Sequence, residues 1–127
     1  MTFIIRSYLN HYHFQNNMEI TIEDFDKVEM RAGTVIAVDI NKRARKPAYK
    51  VTIDLGEEIG VKTTSAQITD LYTPESLIGK QVICCVNLPS MHIGSVKSEV
   101  RILGTETNGA CVLLQPSMPV NNGDKVF

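Results

Sequence analysis

Lys50-Val51-Thr52-Ile53-Asp54-Leu55 alternates residue by residue, with Val51, Ile53 and Leu55 apolar and Lys50, Thr52 and Asp54 polar. Successive side chains of an extended chain point to opposite faces, so this stretch reads as a strand with one face in a core. Upstream, the run Arg31–Asp39 (RAGTVIAVD) is rich in β-branched residues and carries Gly33 early. It reads as the first strand, with Gly33 expected to mark a bulge or bend at a barrel corner. Downstream, Gly56-Glu57-Glu58 turns the chain into a third strand, from Ile59 to about Ser65.

Further out, Thr73-Pro74-Glu75 supplies an N-cap, a proline at the first helical position and an acid in the first turn. This predicts a short helix over Pro74–Ile78, ended by Gly79. Gln81–Asn87 (QVICCVN) is continuously apolar and reads as a central fourth strand, stopped by Pro89. A fifth strand is expected over Val96–Leu103 and a last one over Ala110–Leu114, followed by a turn-rich tail. Near the start, Thr21 and Asp24 predict a short capped helix, with Phe25 expected to plug the barrel mouth. Short strands in this order, with a helix between the third and fourth and no repeat, are the pattern of an OB barrel. The expected fold is therefore all-β, a five-stranded OB-fold barrel with short helices, although the pattern alone also permits an SH3-like barrel.

The 127 residues suffice for one domain, and 43% apolar with 21% charged residues is a globular composition. A net charge of -1 excludes a surface that grips nucleic acid all over, so any such binding must use a local patch. Cys84, Cys85 and Cys111 lack metal-site spacing, and the adjacent pair cannot readily bridge, so reduced thiols in a cytoplasmic protein are expected. No stretch is long and apolar enough for membrane insertion. Met1–Asn17 is aromatic, His- and Asn-rich and free of acids, and Met18 reads as a natural start. Residues 1–17 are thus expected to be a disordered extension outside the domain, which occupies residues 18–127; intact-mass analysis of the native protein tests this.

The loop Asn41–Ala48 holds Lys42, Arg43, Arg45 and Lys46 with no acid, and Lys50 follows. Such a patch attracts phosphates or acidic peptides, its alternative being a solvated loop that only maintains solubility. Tyr49 is the one aromatic placed beside it for stacking. Arg31, just before Gly33, is the strongest single candidate for a ligand contact. Ser65, Gln67 and Asn87 sit at strand ends as hydrogen-bonding groups for a peptide or nucleic-acid backbone. No nucleophile–base or paired-carboxylate spacing appears, and His92 is alone in the domain, so no catalytic residue, metal or cofactor is expected.

Eight stretches in order carry a family resemblance: Asp24-Phe25, Arg31–Thr34, Ala44–Lys50, Thr64–Thr69, Leu77–Val82, Val86–Pro89, Lys97–Val100 and Val112–Pro116. Together they resemble the CsaA family, export-related chaperones within a wider group of tRNA-binding OB domains. That group includes the appended domain of some methionyl-tRNA synthetases. Arg43-Ala44-Arg45-Lys46-Pro47-Ala48 stands where the wider group often has His-Pro-x-Ala-Asp-Lys, which favours CsaA over a synthetase appendage. Lys97, Ser98 and Glu99 match a motif of the group. Lys97 would contact phosphate or carboxylate, Ser98 would bond inside the barrel, and Glu99 would touch ligand or pair with Lys97 or Arg31. The resemblance implies a free-standing, cytoplasmic, twofold homodimer that binds preprotein or unfolded segments, with tRNA as the alternative partner on the same face.

Overall fold

The computed structural model describes residues 18–127, and the expected extension Met1–Asn17 lies outside them. The described elements run α1 (Ile22–Asp26), β1 (Met30–Ile40), β2 (Tyr49–Asp54), α2 (Gly56–Ile59), β3 (Val61–Ala66), α3 (Pro74–Leu77) and β4 (Gln81–Cys85). They continue with β5 (Met91–Ile93), β6 (Val96–Ser98), β7 (Arg101–Ile102), β8 (Gly104–Thr107), β9 (Ala110–Leu113) and β10 (Lys125–Val126).

The main sheet is ordered β3-β2-β1-β4-β7, all antiparallel, with β10 paired to the start of β1. Its two ends curl towards each other. The Glu99 N–H, just ahead of β7, donates to Thr63 O on β3 at 2.9 Å, and Thr64 Oγ1 donates to Val100 O at 2.6 Å. The barrel is therefore all but closed, as the OB-fold reading of the sequence requires.

The alternation in β2 buries Val51 and Ile53, and Leu55 continues it; all three are at 0% exposure. With Val35, Val82, Cys84 and Leu77 they form the dry centre, each such side chain contributing about 1.5–3 kcal/mol by leaving water. Both capped helices form as their sequences require. Asp24 N donates to Thr21 Oγ1 at 3.0 Å, and Ser76 N donates to Thr73 Oγ1 at 3.1 Å, with the reciprocal bond present in each.

Four details differ from the sequence reading. Phe25 is 41% exposed and plugs nothing; the helical residue that fills the barrel is Leu77. Gly33 is not the bulge, since the β1–β2 register slips between Val35 and Ala37. Gly33 instead permits a close approach: a Cβ there would stand 2.7 Å from Ile53 Cγ2 and Leu55 Cδ2. The third strand starts at Val61, because Gly56–Ile59 closes one helical turn first. The fifth strand is split. Its first part, β6, pairs with β5 in a hairpin outside the sheet, and its second, β7, pairs with β4. The change of partner falls at Glu99, whose N–H is taken by β3.

Cys84 and Cys85 are buried, Cys111 is half-buried, and all three are free thiols. Burial, and then the neighbouring Cys85, push the Cys84 thiol from its usual 9.0 up to about 12. The native state then keeps a proton that the unfolded chain has released. Stability from this group is complete below the unfolded value of 9.0 and is lost as pH rises towards about 12. Denaturant midpoints measured from about pH 8 to pH 10 should fall, and Cys84→Val should flatten that fall.

Candidate binding face

Two features lie side by side at one end of the barrel. The first is a groove of 470 Å³ between β3, the β5–β6 hairpin and β7. Ile68, Ile93, Val100, Ile102 and half-buried Cys111 line it as apolar surface, and Leu88 and Met91 stand at 48% and 62% exposure. Ser65, Gln67, Ser98 and Glu99 give it polar groups, so four sequence-predicted residues meet in one place. Ser98 does bond inside the barrel, its Oγ accepting from Ser65 N at 2.8 Å.

Glu99 pairs with neither Lys97 nor Arg31. Its carboxylate lies 3.5 Å from Lys62 Nζ and accepts from Thr63 Oγ1 at 3.2 Å, because β3 is the strand it closes upon. Lys97 is exposed on the hairpin, opposite His92, and Arg101 is an exposed cation on the groove wall. No local pattern in the sequence marks Arg101 as a residue of this groove. Only the break at Glu99 brings it to the groove.

The second feature is the loop between β1 and β2. Lys42, Arg43, Arg45 and Lys46 are all exposed there, and Lys50 is half-buried at its base. Among the described residues none of these, nor Lys97 or Arg101, enters an ion pair. Their field is directed at solvent; the acid nearest the loop along the chain is Asp39, which stands opposite Lys50 at the base of the loop.

Asn41, a residue the sequence reading passed over, fastens loop to groove. It is 4% exposed, and its Nδ2 donates to Ser65 Oγ at 3.0 Å and to Ile93 O at 2.8 Å, both on groove-lining residues. In the hairpin turn, Gly94 lies so close to Arg43 that a Cβ would meet its carbonyl carbon at 2.8 Å. Asn41→Ala should cost about 1–3 kcal/mol, read as a lowered denaturant midpoint, because it removes both bonds and leaves the Ile93 carbonyl without this donor.

Three predicted contacts are placed elsewhere. Tyr49 is 8% exposed with its hydroxyl donating to Tyr72 O at 2.7 Å, so it is core and offers no face for stacking. Asn87 is exposed, yet its side chain ties α1 to β4, accepting from Glu29 N at 3.0 Å and donating to Lys27 O at 2.6 Å. Arg31 is clamped away from the loop. It lies 2.6 Å from Glu29, 3.4 Å from Glu58 and 3.0 Å from Gly123 O, with its side chain only 13% exposed. The Glu29 hydrogen bond first, and Glu58 after it, raise its pKa against the opposing effect of burial. Its task is to hold the C-terminal segment against β1.

Residues 30–125 match the family described as "Putative tRNA binding domain". Among curated proteins, the methionine–tRNA ligase of Methanocella arvoryzae is 43% identical over 107 residues, 84% of this chain but 15% of that protein. The chain therefore spans a small fraction of that relative. Among solved structures, the chaperone CsaA of Bacillus anthracis is similar at a TM-score of 0.80 and 44% identity, covering 86% of this chain and 99% of that one. The CsaA chaperone protein of Picrophilus torridus is similar at 0.81 and 42%, covering 86% of this chain and 100% of that one. The resemblance to CsaA read from sequence motifs thus extends to the three-dimensional fold.

Proposed function

Because this chain belongs to the tRNA-binding-domain family, we propose that it works by binding without catalysis, holding unfolded or preprotein segments as a chaperone on that family's fold. The observation that carries this reading is the 470 Å³ groove, whose apolar walls are edged by polar groups and unpaired cations. Grooves of that composition take up side chains that an unfolded chain exposes, while the edge contacts its backbone. The near-complete coverage of two chaperone structures supports the same reading.

A second reading, binding of tRNA, is favoured by the unpaired cations from Lys42 to Lys50 and by the family match itself. With Tyr49 buried, the loop offers charge and no stacking surface, which suits recognition of a folded RNA by shape and phosphate. A twofold dimer belongs to the proposal. Met18, Ile20, Ile22 and Phe25 expose apolar surface around α1, as does Phe127 at the other end of the chain. Such surface is what a second copy would cover, and two grooves on one dimer would give a long ligand avidity. The free thiols fit the cytoplasmic location proposed with it.

The test is a pair of titrations, deacylated total tRNA and an unfolded preprotein segment, each at low and moderate salt. Saturable peptide binding with tRNA weak or absent supports the chaperone reading. Saturable, steeply salt-dependent tRNA binding with no peptide response overturns it in favour of the second.

A further inference from the structure

The groove has a property that its side chains do not show. Leu55 N donates to Gly60 O at 3.0 Å, which sets the hydrogen-bonded pairs of the β2–β3 ladder. Along that register, Lys62, Thr64 and Ala66 turn their main-chain groups to β2. Thr63, Ser65 and Gln67 turn theirs outwards. The first two show it directly, since Thr63 O accepts from Glu99 N and Ser65 N donates to Ser98 Oγ. Past that point the partner is gone. After Val100 the chain leaves β3 for β4, with which Arg101 and Ile102 pair, and Ser65 O and the Gln67 N–H face the groove with no hydrogen bond among the described residues. A strand edge left open beside an apolar groove is a template for another strand.

We infer that the segment held in the groove is extended and pairs as an added strand with the β3 edge at Ser65 and Gln67. The inference rests on the peptide-binding reading and specifies how that site recognises its ligand. β7 is the weaker template. Leu103 N donates to Ile83 O at 2.8 Å, so along that register only Ile102 turns its main-chain groups away from β4. Pairing through the main chain makes recognition independent of most side chains, and alternate residues reach the apolar wall at Ile68 and Val100. The charge around the groove states the rest of the occupant's chemistry. Glu99 is neutralised by Lys62, whereas Arg101 and Lys97 are exposed and unpaired. The segment that fits carries apolar residues in alternation and an acidic flank.

The test uses the full chain and a synthetic octapeptide of alternating leucine and threonine with aspartates at one end. Two derivatives are N-methylated, one at every odd position and the other at every even position. Only one of these sets can face β3. That derivative should bind at least about tenfold more weakly, since N-methylation removes the donors and leaves Ser65 O unpaired, while the other stays within about twofold of the parent. Equal losses in both, or a loss in neither, overturn strand pairing while leaving the groove a peptide site. A parent peptide that does not bind, with tRNA that does, overturns the reading on which the inference rests.

Discussion

Arg45→Glu combined with Lys46→Glu should lower affinity for tRNA by about a hundredfold at low salt, on the order of tenfold for each reversed charge. Each reversal replaces a phosphate attraction by a repulsion. The slope of log affinity against log salt should also lose about two units, one for each contact removed. Both side chains are exposed, and neither makes an ion pair among the described residues, so the melting temperature should stay unchanged. A neutral apolar peptide should bind the variant almost as before, because its contacts lie across Asn41 in the groove. Equal losses for peptide and tRNA would refute separate recognition of the two ligands. Filter binding over a salt series, with fluorescence anisotropy for the peptide, measures both.

Leu77→Ala should cost about 2–5 kcal/mol of stability, whereas Phe25→Ala should cost the isolated subunit under about 1 kcal/mol. Leu77 enters the core at 0% exposure from a helix of four residues, so its truncation leaves a cavity among the core side chains. Phe25 is 41% exposed, so its removal opens no cavity. If the proposed dimer covers α1, Phe25→Ala should instead raise the dissociation constant of the dimer. Urea melts and sedimentation over a concentration series separate these effects. Comparable destabilisation of the monomer by both substitutions would show that Phe25 packs into the core.

That contrast indicates how much the sequence could disclose. Capping and alternation are local rules, and they were legible: Thr21 and Thr73 cap where expected, and Val51, Ile53 and Leu55 point inwards. Which of two helices supplies the plug depends on the path of the whole chain, and Phe25 and Leu77 look equally apolar from within their own segments. The same limit applied at the site. The exposed loop from Lys42 to Lys46 could be read from charge alone, and the hydrogen-bonding role of Ser98 from a hydroxyl set among the apolar residues of its strand. Arg31, Tyr49 and Asn87 are polar or aromatic residues beside promising neighbours, but each has a partner distant in sequence, Gly123 (with the nearby Glu29), Tyr72 and Glu29 respectively. A side chain engaged by a remote partner is indistinguishable in one dimension from a free one. Asn41 and Arg101 were missed for the converse reason, since their importance comes from a hairpin and a strand break that no local pattern marks.

The clamp of Arg31 on Gly123 has a consequence for the order in which this molecule can assemble. β1 is paired along one edge with Gln81–Cys85, and its first residues are completed by Lys125 and Val126. The carbonyl of Ala32 likewise receives the Gly123 N–H at 2.7 Å. β1 therefore waits for residues 92 positions further along the chain to emerge before all its main-chain groups are engaged. Contacts of such long sequence separation slow folding, because the loop must be closed before the pairing rewards it. During synthesis the beginning of β1 remains an unpaired edge, open to association with other nascent chains until Gly123 arrives.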